Sequence, residues 1–162
     1  MRLLLLSGVL ALAVPAIALA QSPPPAAQYV AMAGQSDQFE IMTGKLAAEK
    51  GASASVKSFG THMVTDHTKS TAMVTAAAKK SGLTVSPPAL KSDQQAMLNE
   101  LKTQSGAAFD KTYVSQQLKA HNDALALQRG YAKAGDDANL KAAAAKIVPV
   151  VEMHIGMLKK MP

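Results

Sequence analysis

The sequence predicts an all-α protein, a four-helix bundle with a crossover connector that contains a short helix. Apolar residues recur at three- and four-residue steps along four long stretches, the spacing that places side chains on one helix face. No run of alternating apolar and polar residues is long enough for a strand. About 23 residues separate the second and third long helices, far more than a tight turn needs. This connection predicts a crossover that makes those two helices parallel.

The first 20 residues have the pattern of a secretory signal peptide. Arg2 precedes an apolar run over residues 3–14, and the Ala-Leu-Ala sequence at residues 18–20 is typical of a cleavage site. The run is shorter than a membrane-spanning helix, and Pro15 closes it. We expect cleavage after Ala20 and a periplasmic protein without a transmembrane segment. Residues 21–27, with three consecutive prolines, are predicted to tether a single bundle domain over residues 28–162.

Composition narrows the classes of site and partner. The chain has no cysteine, which excludes disulfides and thiolate metal ligands. Its formal charge is +6, and loss of Arg2 with the signal peptide leaves about +5. The lysines are scattered, Arg129 is the one arginine after the signal peptide and aromatic residues are few, so we expect no binding to nucleic acid. The positive excess predicts a weak attraction to anionic surfaces of the cell envelope.

The first two long helices are predicted over about residues 27–50 and 53–82. Gly51 ends the first, and a serine at position 53 or 55 caps the second. Glu40 lies beside the inward face of the first helix. That face is predicted to carry Met32, Ser36, Phe39, Thr43 and Leu46. The inward face of the second helix is predicted to carry Val56, Phe59, Met63, His67, Ser70 and Val74.

The connector follows Pro87 and Pro88 and holds a short amphipathic helix over about residues 92–103. The third long helix is predicted over about residues 106–134, and the fourth begins after Asp136 or Asp137. We expect Pro149 to kink the fourth helix. The predicted inward face of the third helix carries Val114, Leu118, His121 and Leu125. That of the fourth carries Leu140, Ile147, Val150, Val151, His154, Met157, Leu158 and Met161.

One polar residue of each long helix falls near the middle of the predicted bundle: Glu40, His67, His121 and His154. At a rise of about 1.5 Å per residue, His67 and His121 stand roughly 21 and 22 Å along two parallel helices. Glu40 falls between the levels of His62 and His67, and His154 is offset from His121 by about one turn. The four residues are therefore expected to converge.

Three imidazoles and a carboxylate predict a transition-metal site, with Zn, Cu, Ni and Fe as candidates. Alternative ligands, or groups that orient the imidazoles through hydrogen bonds, are His62, Asp66, Asp110, Tyr113 and Glu152. A lone histidine on an apolar face is more often a hydrogen-bonded core residue than a ligand. A polar network that fixes the register of the helices is therefore the alternative interpretation.

Other chemistry has less support in the sequence. Met153, Met157 and Met161 offer thioethers to Cu(I), although this helical spacing is more typical of core packing. The chain has no cysteine nucleophile, no glycine-rich phosphate loop and no Gly-x-Ser-x-Gly turn. The sequence therefore predicts no catalytic residue and argues against a hydrolase.

Several segments resemble the bacterial exported proteins of the domain of unknown function 4142 family. The resemblance covers about residues 28–160. It rests on Gln38-Phe39-Glu40, Gly44-Lys45-Leu46-Ala47, Val56-Lys57-Ser58-Phe59, Met63-Val64-Thr65-Asp66-His67, Phe109-Asp110-Lys111-Thr112-Tyr113, His121, Pro149 and His154. That family is placed with ferritin-like four-helix bundles, so the resemblance implies a ferritin-like fold. It implies no particular activity.

The sequence departs from the ferritins at the metal ligands. A di-iron carboxylate site takes a glutamate from each of two helices and a Glu-x-x-His motif from each of the other two. This chain has four glutamates and no Glu-x-x-His, so we expect no ferroxidase or iron-storage activity. The expected function is that of an exported ferritin-like bundle of undetermined activity, binding a transition metal in envelope stress tolerance. The alternative is a non-catalytic structural or interaction module.

Overall fold

The computed structural model describes residues 22–161, which form five α-helices and no strand. The helices are α1 (Ala26–Lys50), α2 (Ala54–Lys80), α3 (Ser92–Thr103), α4 (Gly106–Ala134) and α5 (Ala138–Leu158). The long helices α1, α2, α4 and α5 form the bundle, and α3 is the connector helix, so the predicted fold class is confirmed. The predicted signal peptide and its cleavage site lie outside the described residues.

Hydrogen bonds between helix ends establish the topology. Asp110, near the start of α4, accepts hydrogen bonds of 2.8 Å from the backbone N–H groups of Ala52 and Ser53, just before α2. At the other end of the bundle, Asn139 in the first turn of α5 donates to Ser81, just after α2. Helices α2 and α4 therefore run parallel, and α1 and α5 run in the opposite direction. The predicted crossover is confirmed.

The core contains two apolar clusters, one toward each end of the bundle. The cluster at the end of the bundle where α1 begins is called the upper cluster. It includes the rings of Tyr29 and Tyr131, which stack with centroids 3.8 Å apart. The cluster at the opposite end is called the lower cluster, and it includes Phe59, Phe109 and Tyr113. Phe59 also contacts the polar residues near the middle of the bundle, since its ring centroid lies 6.2 Å from that of His121. These polar residues therefore have apolar packing on either side along the bundle axis.

Helices α1 and α2 touch through their backbones at Gly44 and Gly60. A Cβ atom on Gly60 would lie 2.5 Å from the carbonyl oxygen of Gly44 and 2.7 Å from the backbone nitrogen of Ala48. A Cβ atom on Gly44 would lie 2.8 Å from the carbonyl oxygen of Gly60. Both positions therefore require glycine, because the backbones of α1 and α2 approach closely at this point.

The inward face of α1 differs from the predicted one. Phe39 and Thr43 are buried as predicted, but Met32, Ser36 and Leu46 are only partly buried. The buried face instead includes Ala33, Asp37, Glu40, Gly44 and Ala47. Small residues that permit a close helix contact add little to an apolar stripe, which explains why the sequence pattern pointed to a rotated face.

The predicted inward face is correct for α2 and partly correct for α4 and α5. The predicted residues that are only partly buried are Leu118 and Leu125 of α4 and Val150, Met157 and Met161 in and just after α5. All six residues predicted for the inward face of α2 are buried. Helix α5 continues through Pro149, which is exposed. Among the described residues, no helix is both long enough and apolar enough to span a bilayer.

Candidate metal centre

Three histidines from three helices meet in the middle of the bundle. The ring centroids of His67, His121 and His154 are 5.4 to 5.7 Å apart. One ring nitrogen of each lies within 4.8 Å of those of the other two. Only 5%, 1% and 1% of their respective surfaces are exposed. His67 and His121 share a level as the helix lengths predicted, and His154 reaches the same level despite its predicted offset.

His67 is held by a carboxylate on α1. Its Nδ1 lies 2.8 Å from Oδ1 of Asp37, and the other oxygen of Asp37 accepts a hydrogen bond of 3.0 Å from the hydroxyl of Thr71. Burial acts to lower the pKa of His67, but the hydrogen bond to Asp37 and the negative charges of Glu40 and Asp37 raise it overall. The imidazole is therefore oriented by Asp37 and placed in a negative environment.

The other two histidines each use one ring nitrogen in the same way. Nδ1 of His121 donates to the backbone carbonyl of Gln117 at 2.9 Å. Nε2 of His154 lies 3.2 Å from Oδ2 of Asp66. Since a carbonyl or carboxylate oxygen accepts, these contacts place the proton on the ring nitrogen that makes them and leave a lone pair on the second ring nitrogen.

The second nitrogen of each ring is buried and has no hydrogen-bond partner in the protein. These atoms are Nε2 of His67, Nε2 of His121 and Nδ1 of His154. Burial, and then repulsion from the protonated forms of His67 and His154, lower the pKa of His121 to about 3. Burial, and then repulsion from protonated His67, lower the pKa of His154 to about 4. Both rings are therefore neutral at neutral pH, which is the form that binds a metal.

Glu40 lies beside the three histidines. One per cent of its surface is exposed, its Oε1 is 3.8 Å from Nδ1 of His121, and neither carboxylate oxygen has a partner in the protein. Burial raises the pKa of Glu40 to about 7, although the positive charge of His67 opposes this shift. Because His121 is neutral, the 3.8 Å contact is not an ion pair. The carboxylate of Glu40 is therefore available as a metal ligand beside the three histidines.

Asp66 and His62 lie where α2 faces α5. Asp66 contacts His154, as expected of a group that orients an imidazole. Its pKa is lowered, because hydrogen bonds to His154 and Lys69 outweigh partial burial. His62 is exposed, one turn before Asp66.

Two of the predicted orienting groups lie elsewhere. Asp110 binds the backbone at the start of α2, about three turns along α4 from His121. Glu152 is exposed and pairs with Arg129, since a residue two positions before His154 points away from the centre.

Tyr113 is buried in the lower cluster, where burial raises the pKa of its hydroxyl, and that hydroxyl has no partner in the protein.

The methionine stripe of α5 does not gather at the histidines. Met157 and Met161 pack against the lower cluster, and 51% of the surface of Met153 is exposed. These are the contacts of core packing at two positions and of a surface residue at the third.

Sequence reasoning did not identify Asp37, Thr71 or Gln117. Asp37 precedes Glu40 by three residues, so the two carboxylates share a face of α1. That spacing could have revealed Asp37 as a partner for a histidine. The contribution of Gln117 comes from its backbone, which no side-chain pattern indicates.

A groove approaches the site from the side of the connector. It has a volume of about 910 Å³ and lies between residues 83–89 of the connector and helices α1 and α2. Its walls are mainly apolar, and they include Asp37 and Thr71. The groove therefore reaches the group that orients His67.

Comparison with known proteins gives a fold and a family. No curated protein matches the sequence. A solved structure described as a DUF305 fragment from Deinococcus radiodurans has a TM-score of 0.72 and 15% sequence identity, and the match covers 84% of this chain and 96% of that one. At this identity the likeness shows the fold alone. The family DUF4142, described as a domain of unknown function, matches residues 13–161. The chain therefore belongs to the DUF4142 family.

Proposed function

We propose that the protein binds one divalent transition-metal ion through His67, His121 and His154. Two observations carry this proposal. Each of these histidines has a buried ring nitrogen with no partner in the protein. One ring nitrogen of each also lies within 4.8 Å of one from each of the others, although the three residues come from different helices. The other nitrogen of each ring contacts a carboxylate or a carbonyl oxygen, an arrangement typical of histidine ligands. Glu40 or water would complete the coordination.

A closed polar network explains the same residues less well. In such a network each buried polar atom has a partner, because leaving one unpaired costs about 1–3 kcal/mol. Here one ring nitrogen of each histidine and both oxygens of Glu40 have no partner in the protein. A metal ion would pair with the three nitrogens together, and with Glu40 where that carboxylate completes the coordination.

The donor set favours particular metals. Imidazole suits Zn, Cu, Ni and Fe, whereas Ca and Mg prefer oxygen ligands, of which the centre offers only Glu40. A Zn–N distance of about 2.0–2.1 Å places the nitrogens of a tetrahedral site about 3.4 Å apart. The three rings would therefore move slightly closer together as the ion binds.

Metal content and stability test the proposal directly. Residues 21–162, prepared without a histidine tag and stripped with chelator, should take up one Zn²⁺, Cu²⁺, Ni²⁺ or Fe²⁺ per chain by elemental analysis. The melting temperature should rise with the ion that binds best. A protein that takes up no ion and melts identically with and without chelator would instead be a non-catalytic structural or interaction module.

We propose further that the protein is exported to the periplasm and cleaved after Ala20, and that metal binding there contributes to envelope stress tolerance. The basic start, apolar run and Ala-Leu-Ala sequence support export, and the stress role rests on analogy of fold. Fractionation with N-terminal sequencing should recover a soluble form beginning at Gln21. Recovery of only the full-length chain in the membrane fraction would contradict the export proposal.

A further inference from the structure

The three histidines are buried, so an ion must pass between helices to reach them. Two features of the described residues lie between solvent and the histidines. One is the connector groove, which reaches Asp37. The other is the seam between α2 and α5, where Asp66 contacts His154.

Asp66 joins the surface to the buried centre. One quarter of its side chain is exposed, at 25%. Its Oδ2 lies 3.2 Å from Nε2 of His154, and its Oδ1 lies 3.3 Å from the ammonium group of Lys69 in solvent. The contact with His154 is the longest of the three that hold the histidines, the others being 2.8 and 2.9 Å. Of the two carboxylates that contact the histidines, Asp66 is the more exposed, since only 6% of the Asp37 side chain is exposed.

His62 adds a second ligand at the outer end of this seam. It is exposed and lies four residues before Asp66 on α2, so the two side chains are neighbours on one helix face, with Cβ atoms about 5–6 Å apart. Asp66 in turn contacts His154, so His62 lies one helix turn from the residue that leads to the centre. An imidazole and a carboxylate at this spacing can bind a divalent transition metal together.

The connector groove offers less to an ion. Its single carboxylate, Asp37, is already engaged with His67 and Thr71, and its remaining walls are mainly apolar. The seam presents metal-binding groups in sequence from solvent to the centre, and the groove does not.

We infer that His62 and Asp66 form a surface site that first binds the divalent transition-metal ion and passes it through the α2–α5 seam to the buried histidines. This inference rests on the proposed metal-binding function. The ion held by His62 and Asp66 is next to His154, so its local concentration at the centre is high. Opening of the Asp66–His154 hydrogen bond then admits it.

The rate of metal uptake tests the inference. Co²⁺, whose visible absorption reports imidazole coordination, would be mixed rapidly with chelator-stripped protein of residues 21–162. The His62→Ala variant should take up Co²⁺ on the order of tenfold more slowly than wild type, because the surface ligand is lost. Its final stoichiometry should equal that of wild type, because His62 is outside the centre.

A groove variant supplies the matched control. Thr75 lines the groove and is partly buried, so Thr75→Leu narrows this approach without touching a ligand. It should take up Co²⁺ at the wild-type rate. Wild-type uptake by His62→Ala, or slower uptake by Thr75→Leu alone, would overturn the surface site while leaving metal binding in place. A wild type that binds no Co²⁺ would overturn the proposed function and this inference together.

Discussion

Oδ1 of Asp37 lies 2.8 Å from Nδ1 of His67, and both side chains are almost fully buried. The contact joins α1 to α2 and leaves Nε2 of His67 as the ring nitrogen without a partner in the protein. A buried carboxylate beside an imidazole makes the ring a stronger metal ligand and restricts its rotation. Asp37 is thus a positioning residue, and its effect can be measured separately from that of the ligands.

Replacement of Asp37 should weaken the centre without removing a ligand. Asp37→Asn is expected to lower metal affinity by about 10–100-fold, because the imidazole loses its charged partner. Titration calorimetry with a competing chelator measures this change. Asp123→Asn is the control, since it removes the same charge from an exposed residue paired with Lys119. Equal effects of the two variants would show that net charge alone was responsible.

Replacement of His121 separates a metal site from a polar network. In a metal site, His121→Leu should abolish binding, while stability in chelator holds or rises because an apolar group replaces one that needs desolvation. In a network, the same change should cost about 1–3 kcal/mol with or without metal. Denaturant unfolding of wild type and variant, with chelator and with Zn²⁺, measures both. We expect the first result.

Glu40 should give a pH-dependent effect on the stability of the metal-free protein. Its folded pKa of about 7 is above the ordinary value of 4.5, so the folded state favours the proton, and stability is lost as pH rises from 4.5 through 7. Glu40→Gln cannot ionise. Its stability relative to wild type should therefore grow by about 3 kcal/mol between pH 4.5 and 8. Urea unfolding at several pH values in chelator measures this, and a pH-independent difference would contradict it.

The backbone contact between α1 and α2 should make Gly60 intolerant of a side chain. Gly60→Ala is expected to cost about 1–3 kcal/mol, because its Cβ would meet backbone atoms that cannot move aside. Gly156→Ala is the control: it lies within α5 and its Cβ would meet nothing within 4 Å. That change should stabilise the protein by about 0.5–1 kcal/mol. Equal losses of stability for the two variants, measured by thermal or urea unfolding, would show that the cost does not come from the backbone contact between α1 and α2.

The sequence was sufficient for most of the fold and for the three histidines. Long apolar stripes predicted α2 and α4, and the length of the connector predicted that they are parallel. Counting along parallel helices then placed His67 beside His121. These steps succeed because helix rise and periodicity depend little on the neighbouring helices.

The partners of the histidines were harder to predict. Asp37 was missed because α1 packs through Gly44 and Ala47, which contribute little to an apolar pattern and so hide the direction of the buried face. Asp110 and Glu152 were placed near the centre on residue type and separation along the chain alone. Which side chain reaches a ring nitrogen depends on the distance and rotation between helices, and those are tertiary properties.

The close pairing of α1 with α2 has a consequence for the order of folding. Residues 51–53 join α1 to α2, and residues 135–137 join α4 to α5, so each helical hairpin closes a short loop, whereas the connector must span the bundle. His67 belongs to the first hairpin, and His121 and His154 belong to the second. The full ligand set exists only after the two hairpins dock. A bound ion would therefore stabilise the folded state only after the hairpins have docked. It would slow the unfolding of the protein and leave its folding rate nearly unchanged.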